Sequence, residues 1–278
     1  MQRARTKTAA TTAKTADKHV LYQLSVQAPD VDVPFFARYF KRLTGRPLRV
    51  FREDFCGTAL LCCEFAKHHR DNLAIGVDIH GPTLSWAKRH NVSTLEPNAQ
   101  ARVQLIQDDV RAVTEPAADL TAGLNFSYSI FKTRPELLDY MRAARRALKD
   151  DGVFMIDAWG GSDSLAEMED VRRIRANGQR FTYIWDQAKF DPISHNSVCK
   201  IHFAFEDGTA LRNAFTYDWR LWTLPELREL MTEAGFADVH VLWEGTDRDT
   251  NEGNGIYRRV KRGDADPAWI AYVVGRPS

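Results

Sequence analysis

The stretch "VFREDFCGTALLCCEF", residues 50–65, decides how the chain is read. Its first part has the look of a short strand, its last part of an apolar helix. The turn between them holds one glycine, Gly57. A helix that starts just after a parallel strand presents free backbone N–H groups and a positive dipole end. A glycine at that point lets a ligand approach the backbone closely. The same turn carries two acids, Glu53 and Asp54, and a bulky Phe55. It is either a ligand loop or an ordinary strand-to-helix connection.

The flanking sequence favours a repeating layout. "LRVFR" reads as a strand, "TALLCCEFAKHH" as a helix, "LAIGVD" as a second strand and "PTLSWAKRHN" as a helix. "RVQLIQ" and part of "LTAGLNFSYSIF" supply strands three and four. Thr133 and Glu136 form a capping-box pattern ahead of Leu137, Leu138, Met141, Ala144 and Leu148, which recur at helical spacing. "VFMIDAW" is a fifth strand. Strands alternating with helices imply a mostly parallel sheet covered on both faces.

After Trp159 the pattern changes. "SLAEMEDVRRIRA" reads as a helix, and "RFTYIWD", "SVCKIHFAFED" and "ALRNAFTYDWRLW" as antiparallel strands rich in aromatic residues. Residues 160–222 are therefore an expected inserted cap within a single domain of residues 19–278. Thr223 and Glu226 mark another helix start and Gly235 its end. "DVHVLWEG" and "AWIAYVVGR" are the last two expected strands, with a long polar loop, residues 246–267, between them. Its short basic run "RRVKR" reads as the solvated flank of a hairpin.

Composition narrows the function classes. The chain has 278 residues, a formal net charge of +1 and 27% charged residues. No global field points to nucleic acid or to a membrane surface, and no apolar run approaches transmembrane length. Cys56, Cys62, Cys63 and Cys199 have neither metal-site nor disulfide-framework spacing. They imply a reducing compartment, read as the cytoplasm, and no metal. Residues 1–18 are basic and poor in acids and apolar residues, which suggests a disordered tail rather than a secretory signal.

The acids complete the reading of the turn. Asp78 lies 21 residues after Gly57, at the end of the second strand. An acid there can accept both hydroxyl protons of a ribose. Asp109 follows the third strand, where an acid can meet an adenine amino group. Acids beside the turn would repel a pyrophosphate but suit a cationic nucleoside.

In order and spacing, "REDFCGTALL", "GVDIH", "QDDV" and "LNFSYSIF" resemble the motifs of class I S-adenosylmethionine-dependent methyltransferases, small-molecule branch. The resemblance covers about residues 48–160 and returns in "WTLPELRELMTEAGFADVHVL". It implies a Rossmann-like doubly wound seven-stranded sheet with the last strand antiparallel, and S-adenosylmethionine as cofactor. It implies Glu53, with Asp54 as the alternative, near the methionine amino group. Gly57 and Thr58 stand in the turn. Asp78 takes the ribose with Ile79 beside it, and Asp109 the adenine side with Val110. Asn125 and Phe126 pass the methionine portion and the sulfonium. Phe55 and Ala59 depart from the family pattern, which has glycine at both positions.

On the acceptor side the strand ends matter, because ligands of parallel sheets bind outside them. Tyr128, Asp157 and His195 are candidate general bases. Tyr22, Gln27, Trp159, Glu244 and Tyr257 are candidate substrate contacts. The expected reaction is methyl transfer to a small-molecule nitrogen or oxygen, by in-line displacement. Methylation of RNA or protein, a non-catalytic cofactor-binding protein and a nicotinamide oxidoreductase are the alternatives.

Overall fold

The computed structural model describes residues 11–247, 250 and 253–277. Most of the expected tail, residues 1–10, lies outside them. In chain order the elements are α1 (Lys18–Val26), α2 (Pro29–Thr44), β1 (Val50–Asp54), α3 (Leu60–His68), β2 (Leu73–Asp78), α4 (Gly81–His90), α5 (Pro97–Gln100), β3 (Val103–Gln107) and β4 (Ala118–Gly123). There follow α6 (Arg134–Arg146), β5 (Leu148–Gly160), β6 (Met168–Ala176), β7 (Gln179–Phe190), β8 (Asn196–Phe205), β9 (Ala210–Arg220), α7 (Leu224–Glu233), β10 (Asp238–Thr246), β11 (Gly253–Val260) and β12 (Trp269–Arg276).

Two compact units emerge. The larger spans Ala28–Leu165 and Arg220–Ser278, the smaller Met1–Gln27 and Ala166–Trp219. The larger contains one sheet in the order β11-β10-β12-β5-β4-β1-β2-β3. β1 pairs parallel with both β2 and β4, and β4 with β5. The last strand, β12, is antiparallel to β5 and to β10. The chain thus has the expected α/β Rossmann-like sheet, with eight strands instead of seven. The eighth is β11, antiparallel to β10. It occupies part of the stretch expected to be a polar loop, and it is an exposed edge whose Arg259 meets Asp238 at 2.9 Å. Edge strands face solvent, so their sequences lack the apolar alternation that marks a half-buried strand.

Helices cover both faces because their apolar stripes match the sheet. Phe36 and Phe40 of α2 pack with Phe51 of β1 and Phe65 of α3 in one core. Leu137, Leu138 and Met141 of α6 pack with Ile75, Phe154 and Leu227 in the other. Each fully buried phenylalanine contributes about 1.5–3 kcal/mol. The capping boxes Thr133–Glu136 and Thr223–Glu226 both form. Gly235 takes the left-handed conformation that closes the last helix.

The smaller unit is a four-stranded sheet in the order β6-β7-β8-β9, with β7 antiparallel to both neighbours, packed on α1. Its core holds Leu21, Phe181, Tyr183, Ile201, Phe203 and Phe205, so these hairpin aromatics are core residues. The expected helix at "SLAEMEDVRRIRA" is corrected: only Ser162–Leu165 makes a single helical turn, and Met168–Ala176 is β6. Its helix-forming Ala, Glu, Met and Arg are overruled by nine residue pairings with β7. The charges along this edge keep it from pairing further.

Candidate functional site

The site of the larger unit grows from the end of β1. Successive side chains of a strand face opposite ways. Phe51 and Glu53 therefore face the α3 side, Arg52 and Asp54 the α6 side. Glu53 is buried, and its Oε2 accepts the Cys62 thiol at 3.3 Å. Burial pushes its carboxyl up to about 8, with the thiol opposing and Asp78 and Asp32 adding to the rise. Asp54 is committed elsewhere: Oδ1 takes Arg52 Nε at 2.6 Å and Oδ2 the Tyr140 hydroxyl at 3.1 Å.

The turn itself is built from alternating left-handed residues. Phe55, Gly57 and Ala59 have φ of 59°, 51° and 53°. Two of these lack the glycine that normally takes this conformation without strain. Phe55 is held by its ring, 5.4 Å from Tyr140 and 6.1 Å from Phe131. Ala59 is fully buried and starts α3. The departures from the family pattern at 55 and 59 therefore leave the backbone path of a glycine-rich turn in place. A methyl group at Gly57 would meet no atom within 4 Å, so this turn opens onto free space. Thr58 is buried, and its carbonyl accepts Asn91 Nδ2 at 2.7 Å.

Asp78 is brought directly to the turn. Its Oδ2 accepts the Gly57 N–H at 2.8 Å and its Oδ1 the His80 N–H at 2.8 Å. Ile79, beside it, is 70% exposed, unusual for so apolar a side chain. After β3, Asp109 is gripped by Arg111, with Nε at 3.0 Å from Oδ1 and Nη2 at 2.6 Å from Oδ2. That hydrogen-bonded pair holds its carboxyl below the usual range. Val110 is buried and its carbonyl accepts Arg52 Nη2 at 2.9 Å.

The loop after β4 is a second left-handed turn. Asn125 and Phe126 have φ of 53° and 58°, and their N–H groups donate to Asp157 at 2.7 and 2.9 Å. Burial pushes the Asp157 carboxyl up to about 7, against the pull of those donors. Trp159, two residues on, places its ring 5.9 Å from Phe126. Tyr128 is buried, which raises its phenol well above the usual range. Glu244 and Tyr257 are cross-strand partners, and Glu244 Oε1 accepts the Gly255 N–H at 2.8 Å. Tyr257 packs tilted against Phe35 and edge-on against Tyr272, at 5.6 and 4.7 Å.

Sequence reasoning missed several participants. Asp32, in the first turn of α2, is pushed up to about 6 by burial and by Asp30, and its charge reaches Glu53, Asp157, Tyr257 and Tyr272. Phe35 and Tyr272 pack in stacked geometry, 5.5 Å apart. Arg52, Arg111 and Tyr140 were also missed. The signal for Arg52 was present: an arginine inside an apolar strand, two residues from an acid on the same face. Tyr22, Gln27 and His195 belong to the smaller unit. Tyr22 packs 5.1 Å from Phe215, and Gln27 caps α1, its Oε1 buried with no hydrogen-bond partner among the described residues. His195 sits left-handed in the β7–β8 turn, its ring 5.6 Å from Phe190. Among the described residues there is no metal-ligand cluster, and no helix is long and apolar enough to cross a membrane.

Comparison with known proteins meets this geometry. Residues 54–156 match the family model described as a methyltransferase domain. "Putative methyltransferase YqeM" of Bacillus subtilis (strain 168) is 24% identical over 196 residues, 69% of this chain and 75% of that one. DesVI of Streptomyces venezuelae shares the fold with a TM-score of 0.69 at 17% identity, covering 94% of this chain and 96% of its own. CalS10, an amino pentose methyltransferase from Micromonospora echinaspora, has a TM-score of 0.66 at 14% identity, with 93% and 95% covered. The sugar N-methyltransferase KedS8 from Streptoalloteichus sp ATCC 53650 has 0.63 at 16%, with 100% and 98% covered. The sheet with its reversed last strand and the turn at Gly57 with Asp78 behind it thus lie in a chain that carries a match to a methyltransferase domain over residues 54–156 and shares the fold of S-adenosylmethionine-dependent methyltransferases.

Proposed function

We propose that the chain binds S-adenosylmethionine across the Gly57 turn and methylates a small molecule at nitrogen or oxygen. One observation carries the placement: the Gly57 N–H and the Asp78 carboxylate are joined at 2.8 Å beneath open space. The donor set suits a cationic nucleoside. Asp78 takes the ribose hydroxyls, and Ile79 and Val110 flank the adenine. Asp109 faces its amino group from within the Arg111 pair. Glu53 receives the methionine ammonium, which draws its carboxyl down into the ionised form. Asn125 and Phe126 present their turn to the methionine end. Asp54 acts from beneath the turn through Arg52 and Tyr140.

S-adenosylmethionine supplies a methyl group already activated on its sulfonium, so the protein's share is positioning. Asp157 fixes the 125–126 turn through two backbone N–H groups. With a carboxyl held near 7, it is also the candidate to take a proton from the acceptor. Tyr128 is the other candidate of the larger unit. The acids Asp32, Asp157 and Glu244 with the phenols Tyr257 and Tyr272 favour an acceptor that arrives as an ammonium. The amino pentose and sugar N-methyltransferase activities of CalS10 and KedS8 support the same class. Trp159 is the proposed acceptor contact.

The test is calorimetric titration with S-adenosylhomocysteine, for the wild type and Asp78→Ala. Binding that vanishes in a folded Asp78→Ala supports the site, and unchanged affinity refutes it. Product release is then followed with small amines, phenols and carboxylates, and with RNA and protein as competitors. Turnover on a polymer alone would overturn the small-molecule reading. Binding without turnover on any acceptor would leave a non-catalytic cofactor-binding protein.

A further inference from the structure

Arg52 has no exposed surface and sits in the middle of the sheet. A leucine would fill that position without the cost of burying a charge. What the arginine does instead is reach three acceptors at once. Its Nε donates to Asp54 Oδ1 at 2.6 Å, its Nη2 to the Val110 carbonyl at 2.9 Å, and its Nη1 to the Val113 carbonyl. Asp54 is the last residue of β1, directly before the turn at Gly57. Val110 and Val113 belong to the loop after β3 that carries Asp109 and Arg111. Tyr140 completes the node by donating to Asp54 Oδ2, and its ring supports Phe55 in the turn. Gly123 makes room for it, since a methyl group there would stand 2.6 Å from the Tyr140 hydroxyl. A planar fork with donors in fixed directions suits this spanning task, and a lysine cannot reproduce it.

We propose that Arg52 is a positioning residue for the cofactor. It sets the spacing between the Gly57 turn and the Asp109–Val110 loop, and thereby shapes the adenine end of the site. The inference rests on the cofactor placement proposed above. It assigns Asp54 to this node, so that Glu53 alone is left for the methionine end.

The test is titration of the full chain with S-adenosylhomocysteine and, separately, with adenosine. Arg52→Lys keeps the charge but offers one compact ammonium to three acceptors. Both ligands are expected to bind about tenfold more weakly, in nearly equal proportion, because the shared adenosine end is what shifts. Glu53→Gln is the contrast: it weakens S-adenosylhomocysteine and leaves adenosine unchanged. A folded Arg52→Lys with wild-type affinity for both ligands overturns the proposal, even if its thermal midpoint falls. So does a loss confined to S-adenosylhomocysteine. If the wild type itself binds neither ligand, the cofactor placement fails and this inference fails with it. That outcome is distinct from a variant that matches a binding wild type. Should Arg52→Lys not fold, Arg52→Met with Asp54→Leu and Tyr140→Phe removes the whole node without stranding a charge. The same criteria then apply.

Discussion

Replacing Gly57 by alanine separates what the fold needs at this turn from what a ligand needs. In the protein alone a methyl group at Gly57 meets nothing within 4 Å, so it brings no steric clash. The cost is the left-handed backbone, φ 51°, which an L-residue takes at roughly 1–2 kcal/mol. Ala59 and Phe55 already adopt the same region two positions away on either side. A domain this size loses about 2–4 °C of thermal midpoint per kcal/mol, so Gly57→Ala should melt roughly 2–8 °C lower. The ligand is affected differently. A nucleoside lying on the turn would occupy the space the methyl enters. Affinity for S-adenosylhomocysteine should fall at least about a hundredfold, or ~2.7 kcal/mol. Differential scanning calorimetry and isothermal titration on the same sample give both numbers. Wild-type affinity in Gly57→Ala would mean that no ligand lies over this turn, and the argument from open space would be wrong. A fall of 15 °C or more would mean the space is not open.

Three other expectations follow from the same geometry. Burial holds Glu53 at about 8, Asp157 at about 7 and Asp32 at about 6, against about 4 when unfolded. The folded chain binds the extra protons, so this contribution to stability is full below about pH 4 and is lost as pH rises through these values. The thermal midpoint of Glu53→Gln should therefore fall less than the wild type's between pH 5 and 8.5, and an equally steep fall would refute a protonated Glu53. All four cysteines are buried, and burial raises their thiols above the usual range. Native protein at pH 8 should resist alkylation by iodoacetamide and take up four labels on unfolding, as read by mass spectrometry. Rapid labelling of any cysteine in the folded state would contradict this. Asp157→Asn sets an amide against the N–H groups of Asn125 and Phe126, and should cost about 1–3 kcal/mol in urea denaturation. A change below about 0.5 kcal/mol would show that the carboxylate does not hold the turn.

The sequence by itself determined the course of the chain from β1 through the turn to α3, and on to Asp78. Strand period, helix period and glycine placement are local properties, and they act over a few residues. The same holds for the capping boxes at Thr133 and Thr223, which are satisfied within one helical turn. Only the tertiary structure decided the rest. β6 carries helix-forming residues and became a strand because β7 offered it hydrogen bonds. β11 had no apolar alternation to announce it and exists by pairing with β10. Glu53 and Asp54 are adjacent in sequence but face opposite sides of the sheet. One therefore meets Cys62 and the other Arg52 and Tyr140. Asp32 joins the same electrostatic neighbourhood from a helix before the sheet begins. Such partnerships depend on which segments the fold packs together across long stretches of chain, and no local pattern encodes them.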